Sequence, residues 1–235
     1  MGNLHNTRDL IDNIIAMTVA CMTSSREADM RTLLYSNGSP FARRVRVVLI
    51  EKNLEFESDI YDGLRPIPEI KDQNPALQVP VLYDRDQCLF GSNLILQYLY
   101  AEYPGSENNN PPLAPTITRP ERHWEDMLTL TAIESLADTI VGLRLLLAGG
   151  KIENPYIERQ HFRITSCLDW LEGRITPEGF WPGIFSIMDL NLMCPLLYGE
   201  YRDVFAFRDG PWRKITAMVE HWGSRPSVQK TPLKP

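Results

Sequence analysis

NPALQVPVLYDRDQCLFGSNLILQYL, residues 74–99, reads as a strand, a turn, a second strand and the start of a helix. Val79-Pro80 opens an apolar strand, Val81-Leu82-Tyr83, and the turn Asp84-Arg85-Asp86 folds it back on a second strand, Gln87 to Phe90. Gly91-Ser92-Asn93 then begins a helix whose apolar residues Leu94, Ile95, Tyr98 and Leu99 recur at helical spacing. Proline suits a strand start that needs no ladder donor, and X-Pro bonds are the ones that occur as cis. A cis bond here would leave the Val79 main chain facing outward, free to pair with an extended peptide. Ser92 would offer a hydroxyl and helix N-terminal amides to a carboxylate. Together they describe a site for a small acidic peptide.

On these residues the chain resembles a known family. NP-x-x-x-VPVL followed by L-x-x-SN-x-I-L-x-YL is similar to the second half of the glutathione-binding domain of glutathione transferases. The family usually carries Glu or Asp immediately before this serine, where it binds the γ-glutamyl amine; this chain has Gly91. The resemblance runs from Met30 through most of the chain. It implies a thioredoxin-like α/β domain followed by an all-helical domain.

Bulk composition is that of an ordinary soluble globular protein: 235 residues, 43% hydrophobic and 23% charged. A formal charge of −6 gives no electrostatic reason to expect nucleic acid or an anionic membrane as partner. Cys21, Cys88, Cys167 and Cys194 show neither CxxC pairing nor zinc spacing, which reads as free thiols in a reducing, cytoplasmic compartment. The histidines at 5, 123, 161 and 221 have no ligand spacing, so no metal is expected.

Residues 1–29 read as a weak amphipathic helix or a disordered arm. The apolar run Ile14 to Met22 is too short to span a bilayer, and Asp9 and Asp12 stand where a signal peptide wants positive charge. Residues 30–103 form the first domain. Arg31 to Ser36 is a strand, Asn37-Gly38-Ser39-Pro40 a turn, and Phe41 to Lys52 a helix with Val45, Val48 and Leu49 on one face. Phe56 to Ile60 is a second strand and Pro66 to Lys71 a short helix. The proline-rich, Asn-rich segment 104–120 reads as a linker. Residues 121–235 are helical: Arg122 to Leu147, Pro155 to Glu172, a helix opened by Ser186-x-x-Asp189, and Trp212 to Trp222. The Ser186-x-x-Asp189 start has the form of a capping box and is similar to the helix-capping motif of the family's second domain.

Glutathione chemistry needs a thiolate, and a free thiol titrates near pH ~8.5. Lowering that value takes a hydrogen-bond donor, a helix N-terminus, or both. Ser39 offers both, and SPFARRVR is similar to the segment where transferases place a catalytic Ser, Cys or Tyr. Serine here disfavours a glutaredoxin-like mixed disulfide and favours thiolate attack on an electrophile or peroxide. An ordinary N-cap is the competing role for Ser39, and Ser36 and Asn37 are rival donors on the same turn. By the resemblance, Val79 ahead of Pro80 pairs with the cysteinyl part of glutathione, Ser92 receives the γ-glutamyl carboxylate, and Gln78 meets the glycine end. Trp124, Asp138 and Arg144 are candidates for the wall of an electrophile pocket between the domains. Arg43, Arg44 and Arg46 read as a solvated face or as internal ion pairs.

The leading expectation is a cytosolic glutathione transferase, a detoxification-type homodimer that uses glutathione as co-substrate against a small hydrophobic electrophile. Gly91 favours an alternative: a transferase-fold protein without glutathione activity that binds protein partners, as the stringent-starvation proteins do. A third reading keeps the scaffold for glutathione-dependent peroxide reduction, dehalogenation or ether cleavage.

Overall fold

The computed structural model describes residues 30–61, 71, 74–105, 111–148, 150 and 154–234. The expected N-terminal arm, and nearly all of the expected helix 66–71, lie outside them. Four strands form one sheet: β1 (Arg31–Tyr35), β2 (Phe56–Ile60), β3 (Val81–Asp84) and β4 (Gln87–Phe90), in the order β2-β1-β3-β4. β1 runs parallel to β2 and antiparallel to β3, and β3 antiparallel to β4. Helices α1 (Pro40–Glu51) and α2 (Ser92–Glu102) place Val45, Leu49, Ile95 and Leu99 in one core with Leu33, Tyr35 and Leu82 of the sheet. Leu34 and Val81 point to the other face, under Tyr61, Val79 and Phe90. That alternation is the period-2 pattern of a strand buried on both sides. The domain is thioredoxin-like.

The second half of the proline-rich segment is pinned rather than loose. Leu113 bridges to Phe185, and the Ala114 N–H donates to the Phe185 carbonyl at 2.8 Å. Beyond it come α3 (His123–Leu147), α4 (Pro155–Glu172), α5 (Ile187–Tyr201), α6 (Arg213–Gly223) and α7 (Pro226–Gln229). α5 is buried along almost its whole length, the position of a central helix surrounded by others. Its start is the capping box read from Ser186-x-x-Asp189: Ser186 Oγ accepts from the Asp189 N–H, and Asp189 accepts from the Ser186 N–H at 2.9 Å.

The helical region grips the first domain through α1. Arg225 makes two hydrogen bonds to Glu51, at 2.6 and 2.7 Å, with both side chains almost fully buried. Arg43 donates to the Val228 carbonyl at 3.3 Å. The arginine cluster of α1 is therefore no solvated face: Arg43, Arg44 and Arg46 are all buried. Desolvation lowers the Arg46 pKa, and its guanidinium lies over the Tyr35 ring. No helix among the described residues is long and apolar enough to cross a membrane, and none of their His, Cys, Asp and Glu side chains cluster to hold a metal.

Candidate functional site

The sheet register assembles the site. Leu34 of β1 pairs with Val81 of β3, which pairs with Phe90 of β4. The turn after β1, the Val79-Pro80 pair before β3 and the Gly91-Ser92 start of α2 thus leave the sheet at the same edge. Positions 39, 79 and 92, far apart in sequence, therefore lie on segments that meet that edge.

Ser39 is the N-cap of α1, and its Oγ accepts from the Ala42 N–H at 3.1 Å. Pro40 occupies the first helical position, where its missing donor costs nothing. A hydroxyl carries one proton and two lone pairs, so the cap uses an acceptor and leaves the Ser39 O–H available to donate. The rival Ser36 accepts from the Gly38 N–H at 3.3 Å. The cap and the donor roles of Ser39 are compatible.

The Val79-Pro80 bond is cis, and no described residue hydrogen-bonds to the Val79 main chain. Gln78 is exposed; its carbonyl accepts from the Asn74 amide at 2.9 Å, which leaves its side chain on the surface. Ser92 does not cap its helix. Gly91 is the N-cap and Ser92 the first helical residue, with its hydroxyl turned inward. There its Oγ accepts from Arg44 Nε at 3.0 Å and Nη2 at 2.5 Å. Both lone pairs are taken, so the remaining O–H must donate elsewhere. The first N–H groups of α2 carry no side-chain cap, the usual condition of an anion-binding helix start.

Arg44 also reaches the helical region. It forms a two-pronged ion pair with Glu134 of α3, one prong at 3.1 Å, and Glu134 in turn lies 3.4 Å from the Asn191 amide of α5. Asp138, one turn along α3, has its pKa raised by burial and by Glu134, against the pull of Arg44. Two carboxyl groups therefore stand on α3, next to the guanidinium that holds Ser92. Of the two readings of the arginine cluster, a solvated face or internal ion pairs, Arg44 takes the second; its partner Glu134 was not singled out from the sequence.

The three residues expected in the electrophile pocket are not brought together. Trp124 and Arg144 are twenty positions apart on α3, about 30 Å along its axis. Trp124 is 81% exposed, edge-on to His123. Of the three, Asp138 lines a cleft, the one between α3 and α4.

Comparison with known proteins bears on this arrangement. Residues 33–107 match the model of the glutathione S-transferase N-terminal domain. A stringent starvation protein A homolog of Pasteurella multocida is 27% identical over 164 residues, 62% of this chain and 75% of that protein. The uncharacterized GST-like protein YibF of Escherichia coli is also 27% identical, covering 85% of this chain and 96% of its own. Among solved structures, a glutathione transferase family member from Pseudomonas fluorescens Pf-5, with bound S-(propanoic acid)-glutathione, superposes with a TM-score of 0.68. It is 25% identical and covers 87% of this chain and 100% of its own. Residues 33–107 therefore carry a glutathione S-transferase N-terminal domain, and the helical region is set on it as in the solved transferases.

Proposed function

We propose that this protein binds glutathione along the sheet edge and activates its thiol for attack on a small hydrophobic electrophile. The observation that supports this reading is the Leu34–Val81–Phe90 register, which brings the segments that carry Ser39, Val79 and Ser92 out on one side of the sheet. In it the Ser39 O–H donates to the thiolate sulfur, aided by the N-terminal dipole of α1, and the thiol proton passes to water. Val79 pairs with the cysteinyl main chain, Gln78 lies toward the glycine end, and Ser92 with the N–H groups of α2 receives the γ-glutamyl carboxylate. The Pseudomonas fluorescens relative with its bound glutathione conjugate supports the ligand class. The electrophile would meet the sulfur between the domains. Replacing Ser39 by Ala and measuring conjugation to a chloronitrobenzene tests the thiolate role. Turnover is expected to fall at least tenfold with little change in glutathione affinity; equal, small effects on both would refute it.

A second reading has its own support. Gly91 offers no acid, and the Ser92 hydroxyl is sealed under Arg44 and Glu134, as in a transferase fold adapted to bind a protein partner. The match to a stringent starvation protein A homolog agrees with that reading. In either reading a homodimer is proposed, supported by the exposed Trp124, Met127 and Leu128 on one stretch of α3. A sedimentation run showing only a 27.0 kDa species would remove it.

A further inference from the structure

Between α3 and α4 lies an open cleft of about 430 Å³, lined among others by Asp138, Gly142 and Leu143 of α3 and Tyr156, Gln160 and Arg163 of α4. That is within the size range of small-molecule sites. The α4 residues fall at i, i+4 and i+7, one stripe of the helix. Gln160 is 3% exposed, and its Oε1 accepts from Arg163 Nη1 at 2.8 Å. That bond fixes the orientation of the amide, and the Nε2 group is left buried with no partner among the described residues. A buried amide donor without an acceptor is costly, and native structures rarely leave one without a reason.

The two walls carry opposite charge. Asp138 stands on α3 and Arg163 on α4, and among the described residues neither forms an ion pair. Gly142 lies one turn beyond Asp138, inside α3, where glycine is less favourable than alanine. A Cβ at Gly142 would meet nothing within 4 Å, so close packing does not require the glycine. Its effect is to keep the floor open beside Leu143.

We propose that this cleft binds a small zwitterion, an α-amino acid with an apolar side chain. Its ammonium sits on Asp138, its carboxylate on Arg163 beside the unpartnered Gln160 amide, and its side chain over Gly142 and Leu143. Such a ligand supplies the acceptor that Gln160 lacks and bridges two charges that do not reach each other. The site is separate from the sheet edge assigned to glutathione.

Calorimetric titration of the full chain with L-phenylalanine tests the assignment, with N-acetyl-L-phenylalanine and L-phenylalaninamide as probes of each charge. Phenylalanine is expected to bind once per chain, and each analogue about tenfold or more weakly, because each loses a charge-assisted contact. Asp138→Asn should erase the preference over the N-acetyl analogue, and Arg163→Gln the preference over the amide. Gly142→Leu should abolish phenylalanine binding with an unchanged or higher melting temperature, since leucine is the better helix former. Glutathione titrated into Gly142→Leu should bind as in the parent, which separates this site from the sheet edge. Absence of heat with phenylalanine at millimolar concentration overturns the proposal, as does undiminished binding by Gly142→Leu. Conversion of a dimer to a monomer by Gly142→Leu would also overturn it, because the cleft would then be covered by a second copy.

Discussion

Gly91 sits at φ +82°, in the region that favours glycine, and a Cβ there would meet nothing within 4 Å. Space is available for a side chain; the backbone resists one. A Gly91→Glu change should therefore lower stability by about 1–3 kcal/mol. It should also restore a charge-assisted partner for an amine, a bond worth roughly 1.5–3 kcal/mol, and tighten glutathione about ten- to a hundredfold. Paired thermal melts and glutathione titrations check both halves. Arg44 presents the opposite case. Its side chain is 3% exposed while Glu134 is 23% exposed, so removing Arg44 strands a carboxylate that can turn partly to water. Arg44→Ala is expected to cost about 3 kcal/mol in urea denaturation, the low end for a broken buried pair. The departure at position 91 was legible in the sequence because it is local. The bonds from Arg44 to Ser92 and Glu134 span 48 and 90 residues, and nothing in the sequence around Arg44 specifies either partner.

Elements were read best where their ends are chemically marked. Ser39-Pro40 and the Ser186–Asp189 box start helices where the residue types require, and the acidic turn after the apolar run Val81-Leu82-Tyr83 yields the β3–β4 pair. Gly91-Ser92-Asn93 starts α2 as read, but the competing role of Ser92 as N-cap falls to Gly91, because the serine hydroxyl is drawn inward by Arg44. At the head of α5, complete burial pushes the Asp189 carboxyl up to about 7, against hydrogen bonds from Ser186 and from the Phe180 N–H. Its folded value lies above the ordinary 3.8, so folding favours the protonated form. This contribution is complete below the ordinary value and is lost as pH rises through about 7. The urea midpoint should therefore fall between pH 5 and pH 8. Asp189→Asn, neutral throughout, should flatten that dependence; an unchanged slope would assign it to other groups.

At the scale of the whole molecule, the two halves are joined by charged groups that few sequence rules would bury. Arg225–Glu51 ties the end of the chain to α1, supported by Ser227, and Arg44–Glu134 ties the same helix to α3. α1 thus has Ser39 as its N-cap and carries both interdomain pairs behind it. Glu51→Ala would leave Arg225 buried and unpaired, and is expected to destabilise by about 3–5 kcal/mol. Loss of a single cooperative unfolding transition in that variant would show that the pair couples the halves. The composition and the motifs marked two domains, but the fit between them depends on pairs that form only once the domains are docked. The sheet edge at Ser39, Val79 and Ser92 is expected to take glutathione despite Gly91. Calorimetric titration of the folded protein with reduced glutathione at neutral pH tests it most directly. Saturable binding that Ser92→Ala weakens is expected; no heat at millimolar glutathione would refute the site and turn the fold over to a protein partner.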